Sequence, residues 1–281
     1  MQTFENRVAA ITGAGSGIGR ALALALARRK CHLALSDVSA DGLAQTTRLA
    51  RESGVRVCAH AVDVARREAV DAWAQEAAQL HGQVNLVFNN AGVALCASVE
   101  STSYADFERV MGINFWGVVH GTRSFLPHLR ASGEGHVVNI SSIFGLFGVA
   151  SQSAYNASKF AVRGFSEALR LEMEMARAPV RVTCVHPGGV KTNILRCAPP
   201  AAGLAELGVD AKTYLEKFER ALRTTPDAAA LAILRGVQRR QFRVLVGPDA
   251  RLADWVSRLM PGSCFAGTRF AEMTTPRLRS T

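Results

Sequence analysis

Apolar residues fall into two rhythms along this chain. Short, nearly continuous apolar runs such as Arg7-Val-Ala-Ala-Ile-Thr12, Val84-Asn-Leu-Val-Phe88 and Val180-Arg-Val-Thr-Cys-Val185 alternate with longer amphipathic stretches of helical period. A run that is apolar on both faces suits a strand whose sheet is covered on both sides. Strands are therefore predicted near residues 7–12, 32–36, 55–60, 84–89, 136–140, 180–185 and 242–246. Helices are predicted near 17–29, 39–53, 65–81, 103–131 and 154–177, with shorter ones near 210–222, 226–239 and 249–259. Strand and helix in strict alternation, joined by right-handed crossovers, give an α/β domain over 1–281: a doubly wound, mostly parallel seven-stranded sheet with helices on both faces. Ligands of such sheets gather at the carboxyl ends of the strands. Residues 193–225 break the rhythm with Pro199-Pro200 and a short amphipathic stretch. An irregular insertion in a compact domain reads as a lid or binding loop.

Composition narrows the class. At 281 residues, 48% of them apolar, the chain can bury one large core. No apolar run approaches the roughly 20 residues of a membrane-spanning helix. With the first strand predicted from residue 7, a cleavable signal peptide is not expected. The cysteines at 31, 58, 96, 184, 197 and 264 are scattered without a Cys-x-x-Cys pair, and Cys31, Cys58 and Cys184 lie in or beside apolar runs. Reduced thiols in a cytoplasmic protein are expected, with neither a disulfide framework nor a metal site. Net charge is +10, and from Lys217 onward twelve Lys or Arg face five Asp or Glu. These cations are not interleaved with aromatics and no helix-turn-helix or finger motif accompanies them. A solvated basic surface is expected rather than a nucleic-acid partner, and a membrane-surface or nucleic-acid binder stands as an alternative.

Three segments carry candidate chemistry. The first is Gly13-Ala-Gly-Ser-Gly-Ile-Gly19, between the first strand and the first helix. Strand, glycine turn and helix together aim free helix amides at a phosphate. Gly13 permits the tight turn, Gly17 the approach of a pyrophosphate, and Gly19 the close packing of helix on strand. The second is Asp37, at the end of His32-Leu-Ala-Leu-Ser36, where a carboxylate can accept hydrogen bonds from ribose hydroxyls or cap a turn. A carboxylate there repels a 2′-phosphate, and neither Ser36 nor Val38 offers a cation, so NAD is favoured over NADP. Asp63, after the third strand, can meet an adenine amino group or cap the next helix, and both roles are compatible. The third is Ser153-Ala-Tyr-Asn-Ala-Ser-Lys159. Tyr155 and Lys159 stand one helical turn apart on one face, where an ammonium favours phenolate and lowers the pKa of a phenol.

Taken in order, these motifs resemble those of the short-chain dehydrogenase/reductase family over residues 5–192. Thr12-Gly13-x-x-x-Gly17-x-Gly19 is similar to its cofactor glycine motif, and Asn89-Asn-Ala-Gly92 to its NNAG segment. Asn114, in Gly112-Ile-Asn-Phe-Trp-Gly117, matches its active-site asparagine. Ser142, in Asn139-Ile-Ser-Ser-Ile143, and Tyr155-x-x-x-Lys159 match its catalytic serine and pair, and His186-Pro-Gly188 matches its Pro-Gly turn. The resemblance implies a Rossmann-type fold. It also implies that NAD is contacted by Gly13, Ser16, Gly17, Ile18, Gly19, Asp37, Asp63, Val64, Asn90, Ala91, Gly92, Tyr155, Lys159, Pro187, Gly188, Val190 and Thr192. Catalysis would fall to Asn114, Ser142, Tyr155 and Lys159. Tyr155 would exchange the proton of a carbinol while hydride passes to or from the nicotinamide; Lys159 would lower its pKa and hold the ribose. Ser142 would bond the substrate oxygen, and Asn114 a water leading from Lys159 to solvent.

Apolar residues flank these positions: Val93 to Leu95, Ile143 to Phe147, and Ile194 and Leu195. They suit a hydrophobic secondary alcohol or its ketone, or a primary alcohol and aldehyde. Arg196 can grip a carboxylate or stay solvated. The resemblance further implies a homodimer or homotetramer packed through helices 103–131 and 154–177. Ala157, Ala161, Gly164 and Ala168 would permit close approach there. A non-catalytic NAD-binding regulator is the remaining alternative.

Overall fold

The computed structural model describes residues 3–194, 203–204 and 210–259. Seven strands, β1 (Val8–Thr12), β2 (His32–Asp37), β3 (Val57–Ala61), β4 (Leu86–Asn89), β5 (Gly135–Ile140), β6 (Val180–Pro187) and β7 (Arg243–Val246), form one sheet in the order β3-β2-β1-β4-β5-β6-β7. Every neighbouring pair is parallel. The chain winds outward from β1 to β3, returns to β4 on the other side of β1, and winds outward again. That reversal opens a crevice at the carboxyl ends of β1 and β4. Central strands are buried along their whole length, whereas the edge strand β3 is half exposed.

Helices α1 (Gly17–Ala27), α2 (Ala40–Arg51), α3 (Arg67–His81), α4 (Tyr104–Met111), α5 (Gly117–Ala131), α6 (Ser153–Met175), α7 (Ala211–Ala221), α8 (Pro226–Gln238) and α9 (Pro248–Leu259) complete the described part. One core lies beneath α1 and α8, where Leu22 and Leu26 meet Ile233, Leu234 and Val237. The other lies beneath α3, α5 and α6, where Trp73 packs edge-on against Phe125, ring centroids 4.9 Å apart, among Leu129, Leu169 and Met173. Among the described residues no helix is long and apolar enough to cross a membrane.

Two predicted helices differ in a way that matters to the site. The span predicted as one helix over 103–131 is α4 and α5 joined by a π-helical turn, Gly112–Trp116. Widening a helix by one residue there turns an extra side chain inward, and Asn114 is the buried residue of that turn. Gly117 follows it in tight contact with Val64, as a Cβ at Gly117 would lie 2.7 Å from Val64 Cγ2. The helix predicted from residue 65 begins at Arg67 instead. Asp63 bonds the Ala65 amide through Oδ1 (3.0 Å) and the Arg66 amide through its carbonyl (3.1 Å), so residues 63–66 close a turn before the helix starts.

Candidate active site

The glycine turn is built by contacts that exclude side chains. Gly13 has φ +66° and Gly17 φ +52°, left-handed conformations that suit glycine. A Cβ on Gly19 would stand 2.0 Å from the Gly13 carbonyl oxygen, so α1 can enter only with glycine at that place. At the start of α1, Ser16 is exposed and makes no side-chain cap, and no acidic residue occupies the first turn. The leading amides are thus left to an anionic ligand, a fit to a dinucleotide pyrophosphate. Thr192 faces the turn, its Cγ2 3.1 Å from where a Gly17 Cβ would be. Ile18 points the other way, half-buried against the core.

Asp37 serves as a cap: Gly15 donates to its Oδ2 (2.7 Å) and Ser39 to its Oδ1 (2.8 Å). Gly15 carries no sequence signal of its own, yet a Cβ there would lie 2.8 Å from the same carboxylate oxygen. Arg20, also unforeseen, donates to the Gly15 carbonyl and to Thr46 Oγ1 (3.0 Å), fastening the turn to α2. No residue pattern marks Arg20, because its partners Thr46 and Gly42 lie on α2, more than twenty residues along the chain.

Across the crevice, Asn90 and Ala91 clamp the end of β1. Both amides donate to Thr12 Oγ1 (2.9 and 3.0 Å), and Asn90 Nδ2 donates to the Thr12 carbonyl (2.9 Å). Asn89 points into the core, bonding Thr122 and Asn139. Gly92 brings the backbone against two of the catalytic candidates: a Cβ there would lie 3.2 Å from Asn114 Oδ1 and 3.5 Å from Lys159 Nζ. Asp63 and Val64 sit apart from this cluster, Asp63 in its exposed turn and Val64 buried with its carbonyl held by His120 Nδ1 (3.1 Å).

The catalytic candidates come together at the carboxyl ends of β4 and β5. Tyr155 and Lys159 share one face of α6, with Nζ 5.5 Å from the ring centroid. Ser142, two residues past the end of β5, caps the short 3-10 turn Ile143–Gly145, its Oγ accepting from the Phe144 amide (3.1 Å), and it favours ionisation of the nearby Tyr155 phenol. Lys159 is 3% exposed and donates to the Ile140 carbonyl (3.0 Å). Asn114 is fully buried: its Oδ1 accepts from the Val93 amide (2.8 Å) and its Nδ2 donates to the Val93 carbonyl (2.9 Å) and to Ser158 Oγ (3.1 Å). In this structure the amide therefore binds the strand-to-helix segment to α6. His186, kept neutral by a burial that pushes its imidazole down to about 4, donates from Nδ1 to the Ser142 carbonyl (3.0 Å) and fixes the serine from behind.

The expected electrostatics of the pair are reversed here. Loss of hydration pushes the Tyr155 phenol up to about 12, against a smaller downward pull from Ser142. Burial likewise pushes Lys159 down to about 8. The ammonium lies over the ring rather than on the hydroxyl, so its attraction does not outweigh desolvation of the oxygen.

At the end of β6, the Pro187-Gly188 turn is held from an unexpected quarter. Asp249, in the first turn of α9, accepts from the Gly189 amide (2.5 Å), and Gly188 and Gly247 both lack the Cβ that would strike its carboxylate. Val190 is buried and pairs with Thr224 as an isolated bridge. Of the apolar walls, Ala94, Leu95, Ile143, Phe144, Leu146 and Phe147 are buried. The last four are more than a lining, because they form a small core with Ala250 and Ala253 of α9, against which Tyr155 packs. Within the predicted lid, α7 sends Tyr214 inward to Ser151 Oγ (3.2 Å). Leu195, Arg196 and Cys197 lie outside the described residues, as does Cys264.

A doubly wound sheet with a glycine turn at β1 and a Ser-Tyr-Lys cluster at β5 and α6 defines an oxidoreductase of the Rossmann class. The family model for short chain dehydrogenase matches residues 7–201. A Mycobacterium tuberculosis protein named as an oxidoreductase, SadH, is 53% identical over 264 residues, which are 94% of each chain. Among solved structures, a short-chain dehydrogenase/reductase from Burkholderia phymatum in complex with NAD superposes with a TM-score of 0.84 at 30% identity over 100% of both chains. An alcohol dehydrogenase from Thermococcus sibiricus complexed with 5-hydroxy-NADP gives 0.71 at 28% identity, covering 85% of this chain and 94% of that one. The chain belongs to the short-chain dehydrogenase/reductase family.

Proposed function

We propose that this chain interconverts a hydrophobic secondary alcohol and its ketone with NAD, Tyr155 acting as general acid and base. The observation that carries the reading is the placement of Tyr155 and buried Lys159 on one face of α6, with Nζ 5.5 Å from the ring centroid, beside Gly92 at the mouth of the glycine-lined crevice. A bound nicotinamide would supply the hydride acceptor or donor. The uncapped start of α1, Gly13, Gly17 and Thr192 would hold its pyrophosphate, and Asp37 its adenosine ribose. Ser142 orients the substrate oxygen and stabilises charge growing on it. Tyr155, protonated at neutral pH, gives its proton to that oxygen as a carbonyl is reduced and takes one back in oxidation. Asn114 locks Val93 and Ser158, and so fixes the floor beneath Lys159.

NAD preference rests on Asp37, whose carboxylate disfavours a second phosphate; relatives carry both NAD and an NADP derivative. The substrate class rests on the apolar residues beside Ser142. A cytoplasmic location belongs to the same reading, supported by free Cys31, Cys58, Cys96 and Cys184. A homo-oligomer is proposed through α4, α5, the π-helical turn between them and α6, whose outward faces expose Tyr104 (90%), Trp116, Phe160, Leu171 and Met175. The test is a screen of apolar alcohols with NAD and ketones with NADH, followed by absorbance of the reduced cofactor. The reading stands if one pair turns over and Tyr155→Phe abolishes it; cofactor that binds without turnover of any compound would favour a regulator instead.

A further inference from the structure

We infer that Gln152 selects the substrate: its side-chain amide holds a second, uncharged oxygen, about one helical turn from the oxygen that reacts at Tyr155. Gln152 is the N-cap residue of α6, yet its side chain makes no cap. It stands three positions ahead of Tyr155, as Lys159 stands four behind. The residue is 2% exposed, and its Nε2 has no hydrogen-bond partner. A buried amide donor without an acceptor is unfavourable and uncommon, and beside a reacting group it points to an acceptor brought by a ligand. Three more buried polar side chains surround it. Ser151 Oγ lies 3.2 Å from the Tyr214 hydroxyl and 3.8 Å from Cys96 Sγ, and Gln152 adjoins both Cys96 and Tyr214.

Position along α6 gives this ground to the substrate. Lys159 and Gly92 mark the cofactor side of Tyr155, and Gln152 lies on the other side. Gln152 bridges Ala97, on the segment that follows Gly92, and the lid covers the same segment. Tyr214 reaches in from α7, and Gly203 packs on Ser98 and Ser101 too closely for a Cβ. Assigning the first oxygen to Tyr155 rests on the reaction proposed above. All four polar side chains are uncharged, since burial raises the pKa of Cys96 and of Tyr214. A carboxylate held by them would be a buried charge with no cation among its partners. The matching group is a ketone or ester oxygen on an otherwise apolar molecule, because Leu95, Ala97 and Ala154 pack alongside. One turn of helix, about 5.4 Å, is the span between the oxygens of an extended 1,4-dicarbonyl.

Calorimetry on the full chain in the presence of NAD⁺, which cannot reduce a ketone, reads this subsite without turnover. The probes are decane-4,7-dione and decan-4-one, equal in length and different by one oxygen. The dione is expected to bind at least about tenfold tighter. Gln152→Met keeps the length of the side chain and removes its donor. It should bring the two dissociation constants to within about twofold of each other. Steady-state reduction by NADH should show the same preference, carried by KM rather than kcat. Equal affinity of the wild type for the two ketones overturns the inference, the result expected if a trapped water satisfies Nε2. Failure of both ketones to bind also overturns it. So does a Gln152→Met protein that keeps the preference, or one that loses both ketones alike, which would make Gln152 structural. A dione bound tightly through Gln152 but never reduced would uphold the subsite and remove the reaction proposed at Tyr155.

Discussion

Tyr155 illustrates how one side chain answers to two opposing fields. Desolvation holds its phenol near 12 while Ser142 draws it down, so the neutral acid prevails at ordinary pH. Tyr155→Phe keeps the ring that packs on Phe144 and loses only the titrating oxygen. It should cost about 10²- to 10⁴-fold in turnover with cofactor affinity unchanged. Steady-state rates beside calorimetric binding check this, and turnover near wild type would remove Tyr155 from the chemistry. The sign of the pH dependence follows from the same group. Ketone reduction uses the protonated phenol and should stay level from neutral to mildly alkaline pH. Alcohol oxidation uses the phenolate and should climb by up to about tenfold per pH unit over that range. Lys159→Met removes a cation beside the ring and should move that climb to higher pH; a profile displaced toward lower pH would contradict the assigned role. Tyr155 and Lys159 were legible because helical spacing puts them on one face and because the glycine turn, Asn114 and Ser142 stand at the matching intervals around them. Their raised and lowered pKa values were not, because these depend on walls contributed by β5, β6 and α9.

At the level of elements, glycine turn and sheet are coupled through backbone contacts. Gly19→Ala would force a methyl against the Gly13 carbonyl. A loss of about 1–3 kcal/mol is expected, and NAD affinity should fall with it; denaturant unfolding and titration calorimetry read the two effects. Unchanged affinity would show that the turn does not cradle the dinucleotide. Asp37→Ala should weaken NAD and improve NADP, as Michaelis constants for both will show. Because Asp37 also holds the Gly15 and Ser39 amides, the same change should cost about 1–3 kcal/mol of stability. The strands were readable because they are apolar on both faces. The π-helical turn at Gly112–Trp116 was not, since the gain that stabilises it is the bonding of Asn114 to Val93, a partner outside the helix.

For the whole molecule, assembly is governed by the exposed apolar faces, of which that of α6 is one. Gly164 lies on the outward side of α6, and a Cβ there meets nothing within 4 Å of the chain itself. Gly164→Trp should leave a lone protomer folded but prevent close approach of a second α6, which light scattering would register as a fall in mass. An unchanged mass would exclude α6 from the contact. The sequence by itself determined the alternating elements, the seven-stranded sheet, the glycine turn and the spacing of Tyr155 and Lys159, since all of these follow from local periodicity and from motifs within single segments. Only the tertiary structure decided that Asn114 is a brace, that Arg20 fastens the turn, that Asp249 seats the end of β6, and that desolvation raises the Tyr155 pKa and lowers that of Lys159. Each of these depends on groups far apart in the chain, which periodicity cannot bring together and packing can.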